Sequence, residues 1–175
     1  MKRLKNENIR LKDGTAATLS TAQLPDGSYE TMLYCGPAMT ELAVVQSDTE
    51  AAALAAHKDI KANYHVEAPA GKYKDLADCL RAAKEYALAH RGSDDGGTCN
   101  FDAPTIALPG WEKAKVEAAA AEAGTGCFVW NAFGGRLFVF PIGGGQGNAR
   151  TKAAEIARDF LQAAGFNAGM YYQMD

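Results

Sequence analysis

The residues best suited to chemistry in this chain are a run of glycines that ends in an arginine. Gly143-Gly144-Gly145-Gln146-Gly147-Asn148-Ala149-Arg150 follows a β-prone run and opens a helical one. Glycines let backbone N–H groups converge, a helix N-terminus attracts anions, and arginine adds a bidentate phosphate contact. Gly145, Gly147, Asn148 and Arg150 are therefore candidate ligands for a nucleotide or phosphate, in a small enzyme working at residues 143–147. The run lacks the Lys-Ser/Thr pair of a Walker A loop, and its glycine spacing is not that of a dinucleotide fingerprint. The plainer reading is a strand-to-helix turn, with Asn148 or Thr151 capping the helix.

Other catalytic groupings are missing. Ser20, Ser28, Ser47 and Ser93 lie outside any G-x-S-x-G setting. Cys35, Cys79, Cys99 and Cys127 form no C-x-x-C pair and have no histidine at zinc spacing, so reduced core residues are expected. Cys99 or Cys127 becomes a nucleophile only with a base beside it in space. His57 falls on a helix face and reads as a packed histidine, His65 follows that helix, and His90 ends another. Asp94 and Asp95 offer carboxylates to a cation, but no further oxygen ligands are spaced around them. No metal and no cofactor are expected.

The aromatic residues offer a different chemistry. Side chains alternate along a strand, so Val129, Leu137 and Val139 share one parity while Phe128, Trp130, Phe138 and Phe140 share the other. If the aliphatic set meets the helices, the aromatic set faces outward. The first half of the chain or a second copy would then cover it, or it would stack on bases. Gly135-Arg136-Leu137-Phe138-Val139-Phe140 resembles the aromatic-rich third strand of RNA-recognition-motif proteins, with the basic-glycine-aromatic order scrambled. Trp130, Arg136, Phe138 and Phe140 are the candidate contacts.

These groups need elements to hold them. Residues 15–21 and 28–35 are β-prone, and Pro25-Asp26-Gly27 between them predicts a hairpin. A third strand is expected at 41–46. Ser47-Asp48-Thr49-Glu50 has capping-box spacing and opens a helix to about residue 64, with Ala53, His57, Ile60 and Tyr64 inward. A second helix follows near 73–91, with Leu76, Leu80, Ala83 and Ala87 in one stripe. Residues 93–98 read as a linker.

The second half is clearer: strand 105–108, helix 111–123, strands 127–131 and 136–142, helix 149–164 and strand 167–174. That order is β-α-β-β-α-β, the ferredoxin-like arrangement, with both helices on one face of an antiparallel sheet. The expected fold is α+β, with a βββα(α) N-terminal half at 1–92 and a ferredoxin-like unit at 99–175.

Charge narrows the partners. The 175 residues carry a net charge of −3 and are 47% hydrophobic, which argues against binding driven by one large positive field. Residues 96–175 hold six Lys+Arg against seven Asp+Glu. Residues 1–12 are locally basic and read either as a frayed terminus or as an arm, with Lys2, Arg3 and Lys5, that touches an acidic partner. The opening residues do not form a signal peptide and no window is apolar enough to span a membrane, so a cytoplasmic location and no membrane partner are expected.

Cys99-Asn100-Phe101-Asp102, Gly147-Asn148-Ala149-Arg150 and Tyr171-Tyr172-Gln173-Met174-Asp175 resemble small orphan proteins of gut clostridia and their phages, over most of residues 98–175. Proteins of mobile elements often bind and block host machinery. The resemblance therefore implies a non-enzymatic inhibitor of a host defence nuclease, an anti-CRISPR-like protein. The partner would be a protein, alone or within a nucleoprotein complex. A single-stranded nucleic-acid binder using the aromatic face is the alternative, beside the nucleotide enzyme at 143–147. A homodimer is compatible with all three.

Overall fold

The computed structural model describes every residue except Asp13, Pro37, Asp95, Thr98, Cys99, Phe133, Met174 and Asp175. The chain divides into two compact units, Met1–Ala68 and Pro69–Asp175. The fold is α+β, with four helices and two four-stranded antiparallel sheets among the described residues.

The first unit is a meander of β1 (Lys2–Arg10), β2 (Ala16–Gln23), β3 (Tyr29–Cys35) and β4 (Thr40–Ser47), followed by α1 (Glu50–Tyr64). Its sheet order is β1-β2-β3-β4. The expected hairpin is present: Asp26 Oδ1 accepts from the Ser28 N–H at 3.0 Å, and Gly27 takes φ +91°. Residues 2–10 are not a frayed arm but a fourth strand, paired with β2 along its length. Only Leu4 and Ile9 are apolar in that stretch, so it carries almost no alternation; cross-strand pairing makes it a strand.

Ile9, Ala17, Leu19, Leu33 and Ile60 form the core of this unit. Helix α1 presents Ala53, His57 and Ile60 to it, as its spacing predicts, while Tyr64 stays exposed. The N-cap is Thr49, whose hydroxyl accepts from the Ala52 N–H at 3.2 Å, so the cap falls two residues after Ser47.

The second unit begins with α2 (Lys72–His90), which the sequence grouped with the first half. It continues through β5 (Ala103–Ala107), α3 (Lys113–Glu122), β6 (Phe128–Ala132), β7 (Gly135–Val139), α4 (Gly147–Ala163) and β8 (Ala168–Tyr171). The break between units therefore lies at residues 68–69 rather than at 93–98. Helix α2 belongs with the second unit because its stripe of Leu76, Ala77, Leu80, Ala83 and Ala87 is buried there, in one cluster with Val116, Ala119, Ala120, Ala153, Ala157 and Leu161. It also closes the C-terminal end of α3: Arg81 donates to Glu122 O at 2.9 Å and Lys84 to Gly124 O at 2.5 Å. Cations are well placed on the carbonyls that a helix end leaves unpaired.

The second sheet runs β6-β7-β5-β8, and each neighbouring pair is antiparallel. Opposed residues share a face, so Val129, Phe138, Ile106 and Ala168 form one row across it. That row and Phe140 lie in the cluster shared with the helices. Phe128, Val139, Thr105 and Gly169 form the adjacent row on the opposite face.

Candidate functional site

Strand register decides where the aromatic chemistry sits. Val129 pairs with Phe138 and Phe128 with Val139, so an odd residue on β6 faces an even one on β7. Parity holds along one strand and does not carry across this hairpin. Phe138 and Phe140 are consequently 0% exposed among the helices, not on the outer face. Phe128 and Trp130 do occupy the outer face, opposite Val139 and Leu137. Their companions are Tyr171 on β8 and Phe101 before β5, which the strand pattern of β6 and β7 alone did not reveal.

These four rings interlock. Tyr171 meets Trp130 at 5.0 Å and 82°, and Phe128 at 5.6 Å and 86°; Phe101 lies 6.0 Å from Phe128 and 6.3 Å from Tyr171. Tyr171 and Phe128 come from opposite edge strands, and the residues between them are small. Ala103, Thr105 and Val139 beneath are at most 2% exposed. Gly169 is tightly packed, because a Cβ there would stand 3.1 Å from Thr105 Oγ1, which would have to shift by a few tenths of an ångström. The aromatic face is thus a roof in which Tyr171 makes edge-to-face contacts, a favoured packing geometry, and Phe101 lies tilted against Phe128. It presents ring edges to one another rather than an open row of flat faces for bases.

The glycine loop is likewise occupied with its own closure. Gly143, Gly144, Gly145 and Gly147 all take positive φ. Helix α4 starts at Gly147, and Gln146 at the N-cap makes no side-chain capping bond. Asn148 is therefore one turn-position inside the helix and does not cap it. Its backbone N–H donates to Gly96 O at 2.8 Å, and its amide donates to Asp94 Oδ2 at 3.1 Å. Asp94 is held below the usual carboxylate range by that amide first, then by the Gly96 N–H.

Arg150 is committed as well, donating through Nε to Gly145 O at 3.0 Å and through Nη1 to Asn100 O at 2.8 Å. Thr151 Oγ1 bonds Asp102 Oδ2 at 2.6 Å, and Asn100 Nδ2 reaches both. Gly145, Gly147, Asn148 and Arg150 are brought together, but as a knot joining Asp94, Gly96, Asn100 and Asp102 to α4. Thr151 likewise makes no cap: its hydroxyl lies 3.3 Å from Gly147 O.

The remaining candidates are dispersed. Burial pushes the Cys127 thiol up to about 12, with Glu117 adding to the effect, and burial also raises Cys79; neither is a thiolate nucleophile. Cys99 and Asp95 lie outside the described residues. Arg136 donates to Trp111 O at 2.9 Å and covers the Phe138 ring. His90 Nδ1 lies 2.7 Å from Tyr86 O, and His65 Nδ1 accepts from the Arg10 N–H at 3.3 Å. Among the described residues, no three His, Cys, Asp or Glu side chains converge as metal ligands would.

The first unit holds a buried polar chain. Thr31 Oγ1 donates to Ala53 O at 3.1 Å, Thr21 and Thr31 hydroxyls lie 2.9 Å apart, and His57 Nδ1 lies 2.8 Å from Thr21 Oγ1. His57 Nε2 has no hydrogen-bond partner and faces Glu7 Oε1 at 3.8 Å. Glu7 is bonded by Lys5 at 2.6 Å and Lys61 at 2.5 Å. Thr21, Thr31 and His57 are each 0% exposed, so no substrate reaches this hydroxyl–imidazole–carboxylate sequence.

Of the basic residues near the start, Lys5 points into that network. Lys2 and Arg3 are exposed on the edge strand β1 and make no ion pair among the described residues. At the other edge of the same sheet, Leu42, Val44 and Val45 of β4 are 36%, 41% and 37% exposed.

No family model, curated protein or solved structure matches the chain. Among the described residues, no helix is long and apolar enough to cross a membrane.

Proposed function

We propose that the chain is a cytoplasmic, non-enzymatic binding protein that recognises an acidic protein surface through the edge strand β1. The observation that carries this reading is the state of its cations. Among the described residues Lys2 and Arg3 stand exposed without carboxylate partners, whereas Lys5 is bonded to Glu7 and Arg150 to two carbonyls. Unpartnered cations on a fixed strand are pre-oriented, so less ordering entropy is lost on contact than from a free terminus. The groups that chemistry would need are sealed or engaged: His57 is buried, and Cys127 is a neutral thiol. An inhibitor of a host defence nuclease is the form of this reading that the resemblance implies.

We also assign the second unit to the ferredoxin-like class. Its β-α-β-β-α-β chain order and its β6-β7-β5-β8 sheet order support that assignment.

The experiment is capture of partners from a clostridial lysate after nuclease treatment, with wild type beside a Lys2→Glu/Arg3→Glu variant. A protein retained by wild type at low salt, released as salt rises and not retained by the variant supports the reading. Tight binding to bare single-stranded DNA or RNA, lost on Trp130→Ala, would instead favour the nucleic-acid function. Turnover abolished by changing Cys99, Cys127 or His57 would overturn the binding reading.

A further inference from the structure

The two edges of the first sheet differ in chemistry. Any sheet edge exposes unpaired N–H and C=O groups, and proteins protect such edges with lysines, prolines, bulges or cover. Strand β1 is protected: it carries Lys2, Arg3, Lys5 and Arg10, and its pairing slips at a bulge between Arg3 and Lys5. Strand β4 reads Thr40-Glu41-Leu42-Ala43-Val44-Val45-Gln46-Ser47, with no lysine, arginine or proline. Its bulge lies near its start, opposite Leu33 and Tyr34, and leaves residues 43–47 in regular register with β3. Val44 and Val45 are exposed there, and Leu42 is exposed at the bulge itself. Beside the edge lies an open depression of about 600 Å³ lined by Leu11, Lys12, Leu42, Asn63 and Tyr64.

We propose that β4 pairs with β4 of a second copy of this chain, antiparallel about a two-fold axis, making one eight-stranded sheet. Charge selects this occupant. Joining β1 to β1 antiparallel about its central residue, Asn6, would set Lys2 against Arg10, at a cost in like-charge repulsion. Joining β1 to β4 is heterologous and would leave an open edge at each end. The β4–β4 joint is closed and self-complementary. With the axis through Val44, Val44 faces its copy, Ala43 faces Val45, Leu42 faces Gln46 and Glu41 faces Ser47. No charge meets a like charge, and the apolar residues gather at the centre. Leu42 carries apolar surface from the joint into the adjacent depression, where Leu11 and Tyr64 add to the area that a strand alone supplies.

This joint uses the edge opposite Lys2 and Arg3, so it leaves the β1 contacts proposed above at the two ends of the dimer. It stands independently of them.

Sedimentation velocity of the full chain across micromolar concentrations tests it. Wild type should show twice the 18.6 kDa chain mass, and Val44→Lys should return the monomer mass with an unchanged circular-dichroism spectrum. Val44→Cys supplies a second, separate readout. Residues directly opposite in an antiparallel pair have Cα atoms about 4.5–5.5 Å apart, within the range of about 4.4–6.8 Å that disulfides span. Mild oxidation should therefore link the Val44→Cys chain into a covalent dimer and leave wild type unlinked. A monomeric wild type, a dimer that survives Val44→Lys, or a Val44→Cys chain that links no better than wild type overturns the proposal. Partner capture lost only on Lys2→Glu/Arg3→Glu, in chains of either mass, bears on the β1 reading and not on this one.

Discussion

His57 donates its Nδ1 proton to Thr21 Oγ1 across 2.8 Å, and the threonine pair fixes that direction. Thr31 spends its only hydroxyl proton on Ala53 O, so Thr21 must donate to Thr31 and accept from the imidazole. The ring is held neutral with its Nε2 lone pair buried and turned toward Glu7. Replacing Thr21 by valine keeps the shape and strands the Nδ1–H. Thr21→Val should destabilise the chain by about 1–3 kcal/mol, the cost of a buried donor without a partner. Urea unfolding with fluorescence detection measures it; a change within error would show that the chain contributes nothing.

The same cluster sets the pH response. Burial, with Lys5 and Lys61 adding to it, holds His57 below its ordinary 6.5. The unfolded chain therefore takes up that proton first, and stability falls as pH drops below 6.5. Glu7 is held at about 2 against an ordinary 4.5 by its bonds to Lys5 and Lys61. Its contribution is complete above 4.5 and disappears as pH falls from there toward 2. Urea midpoints between pH 8 and pH 3 should show two successive losses. Glu7→Gln should shrink the lower one, leaving the share of Asp26, Asp78 and Asp94, and retain the upper.

Helix α4 should respond to Gly144 rather than to Asn148. Gly144 sits at φ +119°, and a Cβ added there would lie 2.7 Å from the Ala153 Cβ. Gly144→Ala should cost about 1–3 kcal/mol through strain and overpacking. Asn148 is exposed and does not cap the helix, so Asn148→Ala should stay within about 0.5 kcal/mol. Thermal unfolding of both variants under one set of conditions distinguishes the two positions; the opposite order would place the cap at Asn148.

The aromatic roof should behave as core. Tyr171 touches Phe101, Phe128 and Trp130, so Tyr171→Ala opens the layer above Ala103, Thr105 and Val139. Because these rings are half-buried, a loss of about 1–3 kcal/mol is expected, with a red shift in tryptophan emission and new binding of the dye ANS. A variant as stable as wild type and blind to ANS would mean that the rings are not packed as a layer.

Much of the architecture was legible in local pattern. The stripe Leu76, Leu80, Ala83 and Ala87, the inward face Ala53, His57 and Ile60, the turn at Asp26-Gly27 and the β-α-β-β-α-β order all follow from 3.6-residue spacing or turn chemistry within a few positions. Such signals are short-range, and the residues that make them also read them. Residues 2–10 became a strand without an alternating pattern of their own, because β2 supplies their hydrogen bonds.

The candidate sites depended on distance along the chain. The sequence by itself determined that Phe128, Trp130, Phe138 and Phe140 share a parity. Only the β6–β7 register, which sets Val129 against Phe138, decided that the first two face outward and the last two inward. The glycines and Arg150 are plain in the sequence, but their use as a knot depends on Asn100 and Asp94, about fifty residues earlier. Edge position also belongs to the sheet and not to the strand: nothing within residues 40–47 says that no neighbour follows. A side chain's type sets what it is able to do, and long-range pairing sets what remains free to do it.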